Sequence, residues 1–465
     1  MRTLALLLVL AGLAHGDDEL RLPRVTRAIF DNGLHVVVVE YHELPLVEFQ
    51  LIVGAGAAQD PPGKEGVSAV TANALRRGAG KLTAEELARA IESLGGRIST
   101  TPGTDGTIVT AEFLRDDFTA GLDLLRQVML DPTFARDEVR RAREEQVAGI
   151  VAGLEDASAL AEKCYGGFLY GSHPYGRPVE GRRATVSDLG RSDVTAYYDR
   201  WYRPNNTILV LVGDVSAPDA VARLRDAFGG WRARPDAIPL RPTPPEPVAA
   251  RRLLLVDKPD ATQAQIRFGN VAVKRSDPDY LPAQVANTIL GGGFTSKLIE
   301  ELRVKRSLTY AAWSMFAARF AGGDFRLGTF SKNPTTSETL ELALAVEGDF
   351  RNRPPDPKAL DKAKAYLRGQ FPLRLETPDA LAARLAEIEF YGLPVDELAT
   401  FRRRVAAVTP ADVERVARAH MPPPDRVAVV VVGQASQVRA PLEAKFGPIE
   451  TIAPDACEEL SAARR

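Results

Sequence analysis

The sequence predicts an α+β fold: two homologous α/β-layer domains joined by a proline-rich linker. Three observations predict it. Strand-like runs come in consecutive blocks and mix with pairs of helical patterns, which favours layered α+β units over a doubly wound sheet. The two halves repeat the same order of elements. Between them lies "DAIPLRPTPPEPVAA", residues 236–250, rich in proline and poor in periodic apolar positions, which reads as a stiff linker.

Composition sets the frame. A chain of 465 residues has room for two or more domains with sizeable cores. Its 45% hydrophobic and 26% charged shares are those of an ordinary globular protein. A formal net charge of −2 gives no electrostatic case for nucleic acid or an anionic membrane.

The elements follow in order. Residues 1–16, "MRTLALLLVLAGLAHG", pair Arg2 with a short apolar run and end in Ala14-His15-Gly16. That is the pattern of a secretory signal peptide cut after Gly16, which predicts export to the periplasm. The run is too short to span a bilayer, and no later segment could. Residues 17–235 form the first domain. Asn32-Gly33 marks a turn, and "GLHVVVVEYHELPLVEFQLIVGAGA" then supplies two strands. "GVSAVTANALRRG", residues 66–78, reads as a helix with Val67, Val70 and Ala74 on its apolar stripe. Thr83 and Glu86 make a capping box for the next helix, which Gly95-Gly96 stops. "IVTAEFLRDD" is a strand, "TAGLDLLRQVML" a helix, and residues 137–171 are helical.

The repeat is visible at residue level. The segments beginning at Asp193 and Asp412 both run helix, proline-containing turn, buried strand, glycine, helix, Phe-Gly. Gly213 matches Gly433 and Phe228 matches Phe446. Upstream, "LEDASALAEKCYGGFLYG" parallels "LETPDALAARLAEIEFYG". Residues 251–465 are therefore a second copy of the first domain. The two cysteines, Cys164 in a helical pattern and Cys457 in the tail, read as unpaired thiols, although an exported protein could join them.

Seven stretches, in this order, resemble the pitrilysin or insulinase superfamily of zinc peptidases: "NGLHVVVVE", "GAGAAQDPPGKEGVSAVTANALRRGAGKLTAEEL", "ESLGGRIST", "LDLLRQVMLDPTF", "LYGSHPYGRPVEG", "YDRWYRPNNTILVLVGDV" and "GGGFTSKLIEELRVKRSLTYAA". Active members carry His-x-x-Glu-His on the helix at 66–78. The two histidines hold zinc and the glutamate activates water, as a catalytic site with one open coordination position requires. The resemblance places these positions on Ala69, Ala72 and Asn73, and the third ligand on Ile150. None retains its chemistry. The histidines after Gly16 (His35, His42, His173 and His420) form no replacement motif. His173, in "GSHPYGRP", reads as structural, and His35 and His42 as surface or packing residues. Arg76 extends the face of Ala69 and Asn73 by one turn; it is either a cation that opposes a bound dication or a solvated arginine.

The second half keeps more of the pattern. "ELRVKRSLTY" holds Arg303 and Tyr310 in the spacing of the family's Arg/Tyr pair, which donates hydrogen bonds to the charge developing at the scissile carbonyl. The competing reading is a helix-end arginine and a core tyrosine. "LGGGFTSKL", residues 290–298, reads as a turn feeding the Arg303 helix.

The resemblance thus implies a non-catalytic subunit of an exported two-component zinc peptidase. It would hold no metal itself. It would form half of a clamshell with a homologous zinc-bearing subunit and act on unfolded peptides docked by strand addition. The alternative is an inactive peptide-binding or assembly protein of the same fold. No serine or cysteine nucleophile motif supports an independent chemistry.

Overall fold

The computed structural model describes residues 23–238 and 241–461; the leader at 1–16 lies outside them. The first half contains strands β1 Val25–Ile29, β2 His35–Glu40, β3 Leu46–Val53, β4 Arg97–Pro102, β5 Thr107–Leu114 and β6 Thr207–Gly213. Its helices are α1 Val67–Ala74, α2 Ala84–Ser93, α3 Phe118–Leu130, α4 Arg136–Gly153, α5 Ala157–Tyr170, α6 Arg183–Ser187, α7 Arg191–Trp201 and α8 Ala217–Phe228. The second half contains β7 Arg252–Asp257, β8 Gln263–Ala272, β9 Ala312–Ala317, β10 Gly323–Lys332, β11 Ala428–Gly433 and β12 Glu450–Ile452. Its helices are α9 Tyr280–Leu290, α10 Thr336–Asn352, α11 Pro357–Leu373, α12 Pro378–Tyr391, α13 Glu397–Ala407, α14 Pro410–His420 and α15 Ala435–Phe446, with a π-helical turn at Ile299–Val304.

The duplication is exact in sheet topology over five strands. The first sheet runs β1-β2-β6-β3-β5-β4 and the second β12-β7-β11-β8-β10-β9. In both, the strand before the repeat's crossover pairs parallel with its last long strand (β2 with β6, β7 with β11), and the remaining pairs are antiparallel. Only the outer strand differs: β1 joins β2 antiparallel, whereas β12 joins β7 parallel.

Each sheet is buried on both faces, and the second cover comes from the other half. Along β2, Val36 and Val38 enter the first domain's own core, while Val37 and Val39 face the opposite way, as the two-residue period of a strand dictates. Those opposite-facing valines pack with Val210 and Val212 against Leu381, Leu385 and Ile388 of α12. Reciprocally, Leu254, Val256, Val430 and Val432 pack against Leu160, Tyr165 and Phe168 of α5. The exchanged helices are the two that the sequence repeat pairs through their Tyr-Gly endings. Burial on both faces explains why "HVVVVE" and "AVVVVG" read as unbroken apolar runs.

A buried polar network fixes this exchange. Glu162 and Tyr170 of α5 meet Arg267 of β8 and Asp324 and Arg326 of β10. Arg326 donates to Asp324 at 2.6 and 3.0 Å and to Glu162 at 2.7 Å, and Tyr170 donates to Asp324 at 2.9 Å. Arg267 donates to Ser158 at 2.8 Å and also bonds Glu162. Nearby, Asp105 accepts from the Tyr175 hydroxyl at 2.9 Å and the Phe320 amide at 3.1 Å. Residues 241–250 of the linker lie in the same seam. Arg241 sits 3.3 Å over the Phe320 ring, and the Val248 amide donates to Asn270 at 2.8 Å.

Two expectations are corrected here. Cys164 and Cys457 are not free thiols: they form a disulfide across 293 residues, with Cα atoms 5.0 Å apart. The exchange of α5 is the reason, since it carries Cys164 onto the second sheet, beside the tail. The helix at 66–78 is shorter than its pattern. It ends at Ala74, and Arg76 stands exposed in the following turn, so Arg76 does not prolong the helical face. His173 is structural as expected: its Nδ1 accepts from the Tyr175 amide at 3.1 Å and its Nε2 meets the Thr243 carbonyl at 2.8 Å.

Candidate functional site

The α1 helix is anchored by Asp60, whose carboxylate accepts the amides of Gly66 at 2.6 Å and Ser68 at 3.0 Å. Burial pushes this acid up to about 7, against the pull of those same hydrogen bonds. Gly66 has φ of +97°, and a Cβ there would come within 2.7 Å of the Glu180 carbonyl, so glycine is required at the helix entry. Gln146 of α4 ties the start of α1 to the loop before α6. Its amide nitrogen donates to the Gly66 carbonyl at 3.1 Å and the Glu180 carbonyl at 2.7 Å.

The helix is buried almost all round. Val67, Val70 and Ala74 enter the domain core as the stripe predicts, and Ala69 and Ala72 are buried as well. Ala69, Asn73 and Ile150, distant in sequence, line one cavity of about 410 Å³, whose other walls include Pro102, Gly149, Gly153 and Lys163. Fully buried Ala72 is not among its walls. The structure therefore brings together three of the four positions that the resemblance assigns to zinc chemistry.

Those residues do not fit zinc. Alanine and isoleucine offer no donor atom, and zinc sites are built from cysteine, histidine and carboxylate ligands. Asn73 contributes one neutral amide. The cation at the cavity is Lys163 rather than Arg76. Its ammonium lies 3.3 Å from Glu458 and 3.8 Å from Glu180, and sequence reasoning missed it. Gln146 was missed too, though it precedes Ile150 by one helical turn and so lay on a legible face. Among the described residues, one other group could hold a cation: Asp277, Asp279 and His420. Arg415 already donates twice to Asp279, at 2.7 Å each, and His420 Nε2 lies 3.0 Å from the same carboxylate.

Arg303 lies near the end of the π-helical turn, with its guanidinium 5.1 Å over the Phe294 ring. A π turn is rare and is found often at functional sites. Tyr310 is 76% exposed, so it is not a core tyrosine. Neither residue lines the Ala69–Ile150 cavity. Phe294 and Val304 are 77% and 70% exposed, which gives the Arg303 turn an apolar outer surface. Phe294 also borders a second cavity of about 820 Å³ between α9, α10 and α11. The acids and bases around it pair locally, as Lys305 does with Glu300 at 2.9 Å and Glu301 at 2.6 Å.

Comparison with known proteins agrees with this architecture. Residues 36–167 match the family model "Insulinase (Peptidase family M16)" and residues 188–367 match "Peptidase M16 inactive domain". An uncharacterized zinc protease of Mycobacterium leprae is 26% identical over 385 residues, 82% of this chain and 86% of that one. The non-peptidase homolog YmxG of Helicobacter pylori is 23% identical, covering 83% and 88%. A crystal structure of a peptidase M16 inactive domain from Pseudomonas fluorescens superposes with a TM-score of 0.83 at 27% identity, over 88% of this chain and 98% of that one. A Helicobacter pylori protease structure, with a TM-score of 0.82 at 19% identity, shares the fold.

Proposed function

The chain belongs to the M16 peptidase family, and from that premise we propose that it is a non-catalytic subunit of an exported, two-component zinc peptidase. The observation that carries the reading is the pairing of a metal position without ligands, at Ala69, Asn73 and Ile150, with a half-buried Arg303 and an exposed Tyr310 that lie outside that cavity. The first removes independent hydrolysis. The second is useful only if another surface brings a reacting carbonyl to it. Arg303 and Tyr310 both donate hydrogen bonds, so both can stabilise an oxyanion at a partner's zinc. The partner is a homologous subunit bearing the intact zinc motif, closing with this chain like a clamshell around unfolded peptides. The exposed Phe294, Val304 and Tyr310 suit a surface that is covered on assembly.

Export to the periplasm is supported by the leader pattern at 1–16 and by the Cys164–Cys457 disulfide, since such bonds persist in oxidising compartments. Among the described residues, no helix is long and apolar enough to cross a membrane. A second reading, an inactive peptide-binding or assembly protein, is favoured by the name of one relative, a non-peptidase homolog.

Co-expression with a homologue that carries His-x-x-Glu-His tests the proposal. Co-elution on size exclusion and a gain of peptidase activity on mixing are expected. Separate elution at micromolar concentration, with no gain of activity, would leave only the second reading.

A further inference from the structure

Four cavity-facing residues of α4, Gln146, Gly149, Ile150 and Gly153, stand at i, i+3, i+4 and i+7, a single helix face. Two of them are glycines: Gly149 inside the 18-residue helix, where glycine is unfavourable relative to alanine, and Gly153 at its last residue. Packing does not demand them: a Cβ built at Gly149 or at Gly153 meets nothing within 4 Å. The helix therefore leaves open a space into which an alanine Cβ would enter without a clash at either position. The remaining wall has Ala69, Pro102, Ala159 and Val179 as its apolar part and Asn73, Lys163 and Glu180 as its polar part, and the two charges face each other at 3.8 Å. A cavity of about 150 Å³ lined by aliphatic and aromatic side chains is enough to bind benzene, and this one is about 410 Å³. Pro102 is the last residue of β4, the end strand of the first sheet, which among the described residues pairs with β5 alone. Its other edge is a template for an added strand.

We propose that the emptied metal position is a side-chain pocket. It takes one aromatic or long aliphatic side chain of an extended peptide laid along the free edge of β4. The inference rests on the reading that this chain binds unfolded peptide, and adds what that peptide must carry. A metal site would hold a main-chain carbonyl at this place; a pocket with an apolar wall selects a side chain instead, by the apolar area it removes from water.

The test uses the full chain and two fluorescein-labelled, unstructured Gly/Ser peptides. One has a single central Phe, and the other has Asp there. Fluorescence anisotropy is expected to show the Phe peptide bound about tenfold more tightly or better. Gly149→Leu and Gly153→Leu should each abolish that preference, with an unchanged or raised Tm. Equal binding of both peptides by the native chain would overturn the pocket while leaving peptide binding intact. A preference that survives in both filled variants would overturn it too. Binding of neither peptide would remove the peptide-binding reading itself, and the pocket with it.

Discussion

Reducing the Cys164–Cys457 bond separates the contribution of the exchanged helix from that of the two cores. The bond closes a loop of 293 residues that contains the second sheet. Chain-entropy reasoning for a loop of that length gives about 5–6 kcal/mol of stabilisation through the unfolded state. Measured native bonds fall lower, at about 2–5 kcal/mol. The tail has other anchors, all modest: Glu458 accepts from the Arg183 amide at 2.9 Å and from Lys163 at 3.3 Å, Glu459 accepts from Arg182 at 3.5 Å, and Leu460 lies against Gly167. At about 1 kcal/mol for each hydrogen bond, these do not replace the cross-link. We therefore expect a loss of about 3–5 kcal/mol on reduction. At roughly 2–4 °C per kcal/mol for domains of this size, Tm falls by about 10 °C. The assay is thermal unfolding with and without reductant, beside a Cys164→Ala/Cys457→Ala variant that should be insensitive to it. Thiol titration of the unfolded native chain should find none free. Free thiols, or a Tm that reductant does not move, would refute the reasoning.

Other outcomes follow from buried charge. Glu347 is fully buried with both carboxyl oxygens unpartnered, and burial raises it from 4.5 to about 8. Because the folded value lies above the unfolded one, its native state is favoured at low pH. That advantage disappears as pH climbs from about 4.5 to about 8. Glu347→Gln should thus be nearly neutral at the low end and stabilising by roughly 3–4 kcal/mol at the high end; urea unfolding at both pH values checks it, and an equal effect at both would contradict it. Asp324→Ala leaves the buried Arg326 without its main partner, which should cost about 3–5 kcal/mol and be read as faster proteolysis of the 236–250 segment. The purified chain should carry no stoichiometric zinc at the Ala69–Ile150 cavity, and elemental analysis decides that.

The duplication was legible because its signals are local. Buried strands, glycine stops and Phe-Gly ends recur at matching places, as at Gly213 and Gly433. That the positions assigned to zinc chemistry lack ligands was legible because Ala69, Ala72 and Ile150 carry no donor atom in any fold. What stayed hidden was long-range. The helices ending at Tyr170 and Tyr391 were recognised as a pair, yet nothing local says that each packs on the other half's sheet. The disulfide depends on that exchange and was misread with it. The end of α1 at Ala74 was also missed, since the apolar stripe of "GVSAVTANALRRG" places no stop there. Strand β4, RISTTP, carries too few apolar residues to stand out. Lys163 enters the cavity from α5, a helix that no spacing rule connects to α1.

The claim that this chain completes a partner's site is tested most directly by kcat/KM of the complex reconstituted with a zinc-bearing homologue. Arg303→Ala and Tyr310→Phe remove one donor each. Loss of an oxyanion donor costs about 3 kcal/mol, or a hundredfold or more in rate. Exposed Tyr310 and half-buried Arg303 should change little in Tm, and the double variant should fall short of additivity because both act on one developing charge. A fall of that size in each variant, with assembly and Tm unchanged, is the predicted result. Full activity in both would contradict the account and leave a protein that binds peptide without serving a catalytic site.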